Sequence, residues 1–187
     1  MKCINAKSFV LNANTILVCG IKCENTTGIF YPFVGIVQGD CITLCEDEWI
    51  QFLSLESVIK EYFAQPKDCH FIKNLQKHYI LLNEEEAELV LKSGGSWHSV
   101  RISQKQYEQM VHFAPLINTH LSKIKKKSPF YTYTVQKIVS DVAGWQDTSE
   151  NSIKELIKLM CDDTELFLIY SDVIVQLVQH LVPSTSL

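Results

Sequence analysis

Glycine and proline are scarce, seven and five in 187 residues, too few for a fibrous or linker-dominated chain. The opening residues Met1-Lys2-Cys3-Ile4-Asn5-Ala6-Lys7 lack the apolar run of a secretory signal, so an intracellular protein, nuclear or cytoplasmic, is expected. Cysteine is not scarce, but its number is odd, seven, which fits reduced thiols better than a disulfide framework. Also missing are a dinucleotide fingerprint, a paired His and carboxylate on a helix face, and a recognisable catalytic Cys context. Gly94-Gly95-Ser96-Trp97-His98 lacks the second glycine of a nucleophile elbow and the Lys-Ser/Thr of a nucleotide loop, so it reads as a hairpin turn. No catalytic residue, no cofactor and no enzymatic activity are expected.

A metal is not expected either. Cys19 and Cys23, like Cys41 and Cys45, are four residues apart on apolar runs that read as strands. Four residues of strand span about 13 Å, too far for both thiolates of a pair to reach one zinc ion. Buried thiols are the simpler reading.

What the chain does have is 47% hydrophobic and 20% charged residues, the composition of a folded protein, and an uneven distribution of charge. Residues 1–66 carry a net −3, residues 67–127 a net +4 and residues 128–187 a net −5. The overall −4 therefore hides a basic middle third.

Laying the chain on itself brings out a repeat. At a constant offset of 58, residues 42–63 align with 100–121 without a gap: Ile42 meets Val100, Leu44 meets Ile102, Trp49 meets Tyr107, Phe52 meets Met110, Ile59 meets Ile117, and Gln51 meets Gln109. In both copies a period-two strand end runs into an aromatic on the first helical turn and then into a period of about 3.6. Ser103 with Gln106 has the spacing of a capping box. Cys45 is a poor cap, but Glu46, Asp47 and Glu48 place negative charge at the positive end of the helix dipole. Upstream lie apolar runs broken by turn residues: 16–21, 29–37 and the strand entering the first helix, then 79–82, 87–92 and the strand ending at Ile102.

The fold class expected is α+β, two tandem antiparallel-sheet-plus-helix repeats over 1–66 and 67–127 with a helical tail over 128–187. In that tail residues 130–135 read as a strand, 149–160 as a helix and 166–182 as a last helix. The last segment is too short to span a bilayer, and Asp172, Gln176, Gln179 and His180 give it a polar stripe, so no membrane contact is expected. The helices of the tail need a cover, on their own repeats or on a second chain, and a homodimer is the expectation.

The junction Ile42-Thr43-Leu44-Cys45-Glu46-Asp47-Glu48-Trp49, matched by Val100-Arg101-Ile102-Ser103-Gln104-Lys105-Gln106-Tyr107, resembles that of the positive cofactor four family of transcriptional coactivators and its single-stranded DNA-binding relatives. The resemblance covers about 15–65 and 72–125. It implies a four-stranded curved sheet followed by one helix, dimerisation through the helices, and a sheet surface for unpaired strands. Two copies in one chain would then form a pseudo-dimer.

The family's strands are rich in Lys and Arg, whereas the first copy has only Lys22 there, and Pro32. Binding is therefore expected mainly in the second copy, through Lys73, Lys77, Tyr79, Lys92, Trp97 and Arg101, with Lys22 a lesser contributor. Cations neutralise phosphates and exposed rings stack on unpaired bases. Lys123-Ile124-Lys125-Lys126-Lys127 extends this phosphate track or serves as a nuclear address, or else simply complements a helix end. The function expected is non-enzymatic binding of single-stranded DNA or RNA in transcription or replication. The alternative is a protein-interaction scaffold that has kept the fold and lost the nucleic-acid surface.

Overall fold

The computed structural model describes residues 3–24, 27–65, 71–83, 87–95, 97–142, 145, 149–160, 175–176 and 178–179, with only the backbone of 71–74, 82, 83 and 160. The chain is α+β. One sheet has the order β1 (Ile4–Asn12), β2 (Thr15–Cys23), β3 (Phe30–Gln38), β4 (Asp40–Cys45). It runs directly into α1 (Glu46–Leu53) and α2 (Glu56–Ala64). The other has the order β5 (Phe71–Asn74), β6 (His78–Asn83), β7 (Glu88–Ser93), β8 (Ser99–Ser103) and runs directly into α3 (Gln104–Lys125). Then come α4 (Ser128–Val142) and α5 (Glu150–Met160). The expected helix over 166–182 lies largely outside the described residues; Val175, Gln176, Val178 and Gln179 within it are helical.

The change from strand to helix falls where the change of period placed it, between Cys45 and Glu46 and between Ser103 and Gln104. Gln106 accepts the Ser103 N–H at 2.8 Å, and Ser103 Oγ accepts the Gln106 N–H at 3.4 Å, a reciprocal cap. At the other junction Glu48 Oε2 accepts the Cys45 N–H at 3.1 Å. The strand turns need left-handed glycines, Gly39 between β3 and β4 and Gly95 between β7 and β8, with φ of 75° and 93°.

Three local expectations are corrected. Residues 130–135 are not a strand but part of α4. Their β-branched and aromatic composition favours a strand, but Tyr131, Val135, Ile138 and Val142 recur at helical spacing and are all fully buried, so packing prevails over propensity. The first helix is not continuous: Ser54 Oγ donates to the Gln51 carbonyl at 2.7 Å and the chain breaks between α1 and α2. Leu53 and Val111, which meet at the same offset of 58 and which the helical spacing of the repeat places in the core, are instead half-buried. They lie beside the stripes Trp49, Phe52, Ile59 and Tyr107, Met110, Ile117, which are fully buried. Two strands, β1 and β5, had no sequence signal. In β1 only Ile4 and Leu11 are buried, so no apolar alternation marks it.

The chain forms two compact units, whose division passes through β1, β2, β3 and α3. One comprises 7–19 and 33–121. Within it β4 and β8 lie side by side. The Trp49 indole N–H donates to Asn118 Oδ1 at 2.8 Å, while Tyr107 meets Phe52 edge-on at 5.8 Å and Phe63 at 6.1 Å. The start of α1 thus touches the later part of α3 and the start of α3 touches the end of α2, which is an antiparallel sense. Tyr107 is fully buried and its hydroxyl has no hydrogen-bond partner among the described residues. Burial, with the charge of Glu56, pushes that hydroxyl up to about 12. Removing an unsatisfied buried hydroxyl costs little, so Tyr107→Phe is expected to leave the urea midpoint unchanged or raise it. A clear fall in the midpoint would count against an unpaired hydroxyl.

The other unit comprises 1–6, 20–32 and 122–187. Here α4 packs on strand ends: Asn5 Nδ2 donates to the Tyr131 hydroxyl at 3.3 Å, the Phe30 N–H donates to Thr132 Oγ1 at 2.9 Å, and the Phe30 and Tyr131 rings are 5.8 Å apart. Gly20 lets β1 and β2 approach closely, since a Cβ there would lie 2.9 Å from the Ile4 carbonyl oxygen. Ile153 and Ile157 of α5 are fully buried within the single chain, so they need no second copy as a cover.

Candidate nucleic-acid interface

The second sheet is described by its register. Tyr79 pairs with Lys92 and Lys92 with Ser99, while Val90 pairs with Arg101. Side chains two apart on a strand share a face, so Tyr79, Lys92 and Arg101 lie on one face. The intervening residues Ile80, Leu91, Val100 and Ile102 are fully buried on the other. Tyr79 and Lys92 are half-exposed and Arg101 is exposed. Glu88 shares the face and approaches Arg101 at 3.5 Å, an exposed ion pair that adds little stability. It does remove part of the positive charge that was expected there.

Lys77 and Trp97 belong to the end of the same sheet. Lys77, exposed in the turn between β5 and β6, accepts the Gly94 N–H at 2.7 Å through its carbonyl. The two turns are thereby tied together. Trp97, in the turn between β7 and β8, is fully exposed. Lys73 is in register with Ile80, in the row of buried Leu91 and Val100, and not in the row of Tyr79 and Lys92. Lys22, half-buried on β2, belongs to the other compact unit.

The first sheet offers less. By register Val37 opposes Cys41 as Lys92 opposes Ser99, and Gly35 opposes Thr43 as Val90 opposes Arg101. Val37 and Thr43 therefore stand where the second sheet has Lys92 and Arg101. The shorter turn around Gly39 has no counterpart of Trp97. Most of β2 and the centre of β3 are buried on both faces.

Residues that the sequence did not assign to this site support its edges. The Glu48 carboxylate, buried at the start of α1, accepts the Lys77 N–H at 2.8 Å and lies 2.9 Å from His78 Nδ1, besides taking the Cys45 N–H. Burial alone would push this carboxyl up, but the bonds from His78, Lys77 and Cys45 outweigh it and hold the group at about 2. Glu48 thus pins the turn that carries Lys77. At the other junction Gln106 Nε2 donates to Thr15 Oγ1 at 2.9 Å. Gln38 donates to the same hydroxyl at 3.1 Å and bonds both backbone groups of Arg101 at 2.9 Å, acting as a surrogate strand along the edge of β8. His98 Nδ1 lies 3.2 Å from Asp40 Oδ1. The negative charge of Glu48 at the helix start was legible, but its bond to the Cys45 N–H was not. Its bonds to Lys77 and His78, some 30 residues on, had no sequence signal.

Among the described residues no three His, Cys, Asp or Glu side chains gather as a metal site requires, and no helix is long and apolar enough to cross a membrane. Comparison of the chain with family models, curated proteins and solved structures finds no match.

Proposed function

We propose that the protein is a non-enzymatic binder of single-stranded nucleic acid, acting in transcription or replication, and that the strand lies on the outer face and turn end of the second sheet. The observation that carries this reading is Trp97, a fully exposed indole at the tip of the hairpin that holds Lys92. An indole in water is an unused apolar surface, and unpaired bases are the flat apolar partners that fit it. Tyr79 adds a second ring beside Lys92, and Lys77 and Arg101 add cations.

We also infer that the two sheet-plus-helix halves are related like the subunits of a two-fold dimer. In a two-fold contact a residue on the axis meets its own equivalent. Asp40 and His98 are 58 residues apart, the offset of the repeat, and touch each other. Glu48 and Gln106 occupy equivalent positions, and each reaches the start of the second strand in the opposite half, at His78 and at Thr15. Only the second half then carries the binding residues, so the pair is symmetrical in its core and asymmetrical in use.

The test is a titration of labelled oligo-dT over a range of salt. Trp97→Ala removes nothing from the core, and loss of one stacked base, worth about 1–3 kcal/mol, should raise Kd by about 5- to 150-fold. Lys77→Gln and Lys92→Gln should flatten the salt dependence. Absence of strand binding by the wild-type protein at low salt would leave the scaffold reading, which the burial of β2 and of the centre of β3 on both faces and the Glu88–Arg101 pair favour.

A further inference from the structure

A second concentration of cations and exposed rings lies where α3 turns into α4. From Gln109 to Ser140 the sequence has no Asp or Glu, although the chain holds 21 of them, and this stretch has five lysines. Lys123, Lys126, Lys127 and Lys137 are exposed, and none of the four pairs with a carboxylate among the described residues. Phe130 and Tyr133 on α4 are 52% and 64% exposed.

The spacing places these groups together. Steps of three or four residues lead from Lys126 and Lys127 to Phe130, to Tyr133 and to Lys137, so they follow one side of α4. The opposite side is anchored: Tyr131, Val135, Ile138 and Val142 are fully buried, and Thr132 takes the Phe30 N–H. The rings are thus held outward by a helix whose back is fixed.

The helix dipole accounts for the lysines only in part, because Lys126 and Lys127 follow the last turn of α3, which favours cations, yet also precede α4. It favours Lys123 at the end of α3, but Lys126 and Lys127 stand just before the first turn of α4, where the positive end of the dipole disfavours a cation. No carboxylate within that stretch offsets this charge; the next on α4 is Asp141, one turn beyond Lys137.

We propose that the turn between α3 and α4 and the outer stripe of α4 form a second contact surface for single-stranded nucleic acid, with Lys123, Lys126, Lys127 and Lys137 on phosphates and Phe130 and Tyr133 stacked on bases. This rests on the reading of the protein as a single-strand binder and extends it to a surface outside the sheet. The stripe from 126 to 137 is about 16 Å long, room for a short run of nucleotides. A duplex presents phosphates but no free base faces, and an acidic peptide would use the lysines and leave the rings idle. The alternation of ring and cation matches the alternation of base and phosphate.

The experiment uses the full chain and oligo-dT. Lys126→Gln with Lys127→Gln and Lys137→Gln should lower the salt slope by about 2, as expected for three lost phosphate contacts. Phe130→Ala with Tyr133→Ala should weaken binding at least several-fold. Photo-crosslinking of wild-type protein to an iodouracil-substituted strand should place adducts on Phe130 or Tyr133, and this readout does not depend on how the variants fold. Wild-type slope and affinity in both α4 variants, with adducts confined to Trp97 and Tyr79, would overturn the α4 surface and leave the sheet reading intact. Weakened α4 variants beside an unaffected Trp97→Ala would support the α4 surface and overturn the sheet. Ring variants that bind normally while polyglutamate displaces the strand would overturn the stacking role in favour of a general polyanion patch. No binding by the wild-type protein at low salt would overturn both.

Discussion

Trp49→Ala is expected to lower the unfolding free energy by about 3–5 kcal/mol, the range for truncating a large buried aromatic. The side chain is fully buried, stacks on Phe52 at 6.0 Å and spends its indole N–H on Asn118. The loss therefore combines transfer, cavity and hydrogen-bond contributions between α1 and α3. Trp49→Phe keeps much of the ring and loses the bond to Asn118, so it should fall well short of the alanine variant. Urea unfolding followed by far-ultraviolet circular dichroism measures both. A loss below about 1 kcal/mol for alanine would mean that this aromatic is not a core anchor.

Glu48 should give a large pH effect on the acid side. Its carboxyl stands at about 2 in the folded chain against an ordinary 4.5, so between these values the unfolded chain binds the extra proton. Stability from this group is fully present above pH 4.5 and is lost as the pH falls through 2, by up to about 3 kcal/mol. Glu48→Gln at neutral pH should cost about 2–3 kcal/mol, because the amide turns a donor toward groups that are themselves donors. The gap between wild type and variant should then narrow as the pH is lowered from 5 toward 2. Urea midpoints at several pH values decide the matter, and a gap that stays constant with pH would show that the charge of Glu48 carries none of the stability. Because Glu48 also holds the Lys77 turn, the same variant should loosen amide-exchange protection at Lys77 and His78.

The two junctions were legible because each is a local event. A strand period gives way to a helical one, with a capping-box spacing at Ser103 and Gln106 and acidic charge at Glu46, Asp47 and Glu48 behind the poor cap Cys45; the structure added the bond from the Cys45 N–H to Glu48. The buried positions Ile42, Leu44, Val100 and Ile102 follow from the same alternation. Residues 130–135 misled for a corresponding reason. Phe, Tyr, Thr and Val favour a strand locally, and only the run to Ile138 and Val142 makes the helical stripe visible. Within the candidate site, the cations and rings of the second copy stood out by composition. Register then brought Tyr79, Lys92 and Arg101 to one face and placed Lys73 in another row.

The sequence by itself determined where β4 gives way to α1 and β8 to α3, which faces of those elements are apolar, and that basic charge gathers in the middle third. The tertiary structure alone decided that Glu48 meets Lys77 and His78, that Thr15 is shared by Gln38 and Gln106, and that Trp97 points into water while Trp49 does not. Periodicity shows which side of an element must be covered, whereas what covers it depends on register and chain crossing between residues far apart in sequence. Those long-range pairings leave no local pattern, so two tryptophans of one chain come to lie in a core and on a surface.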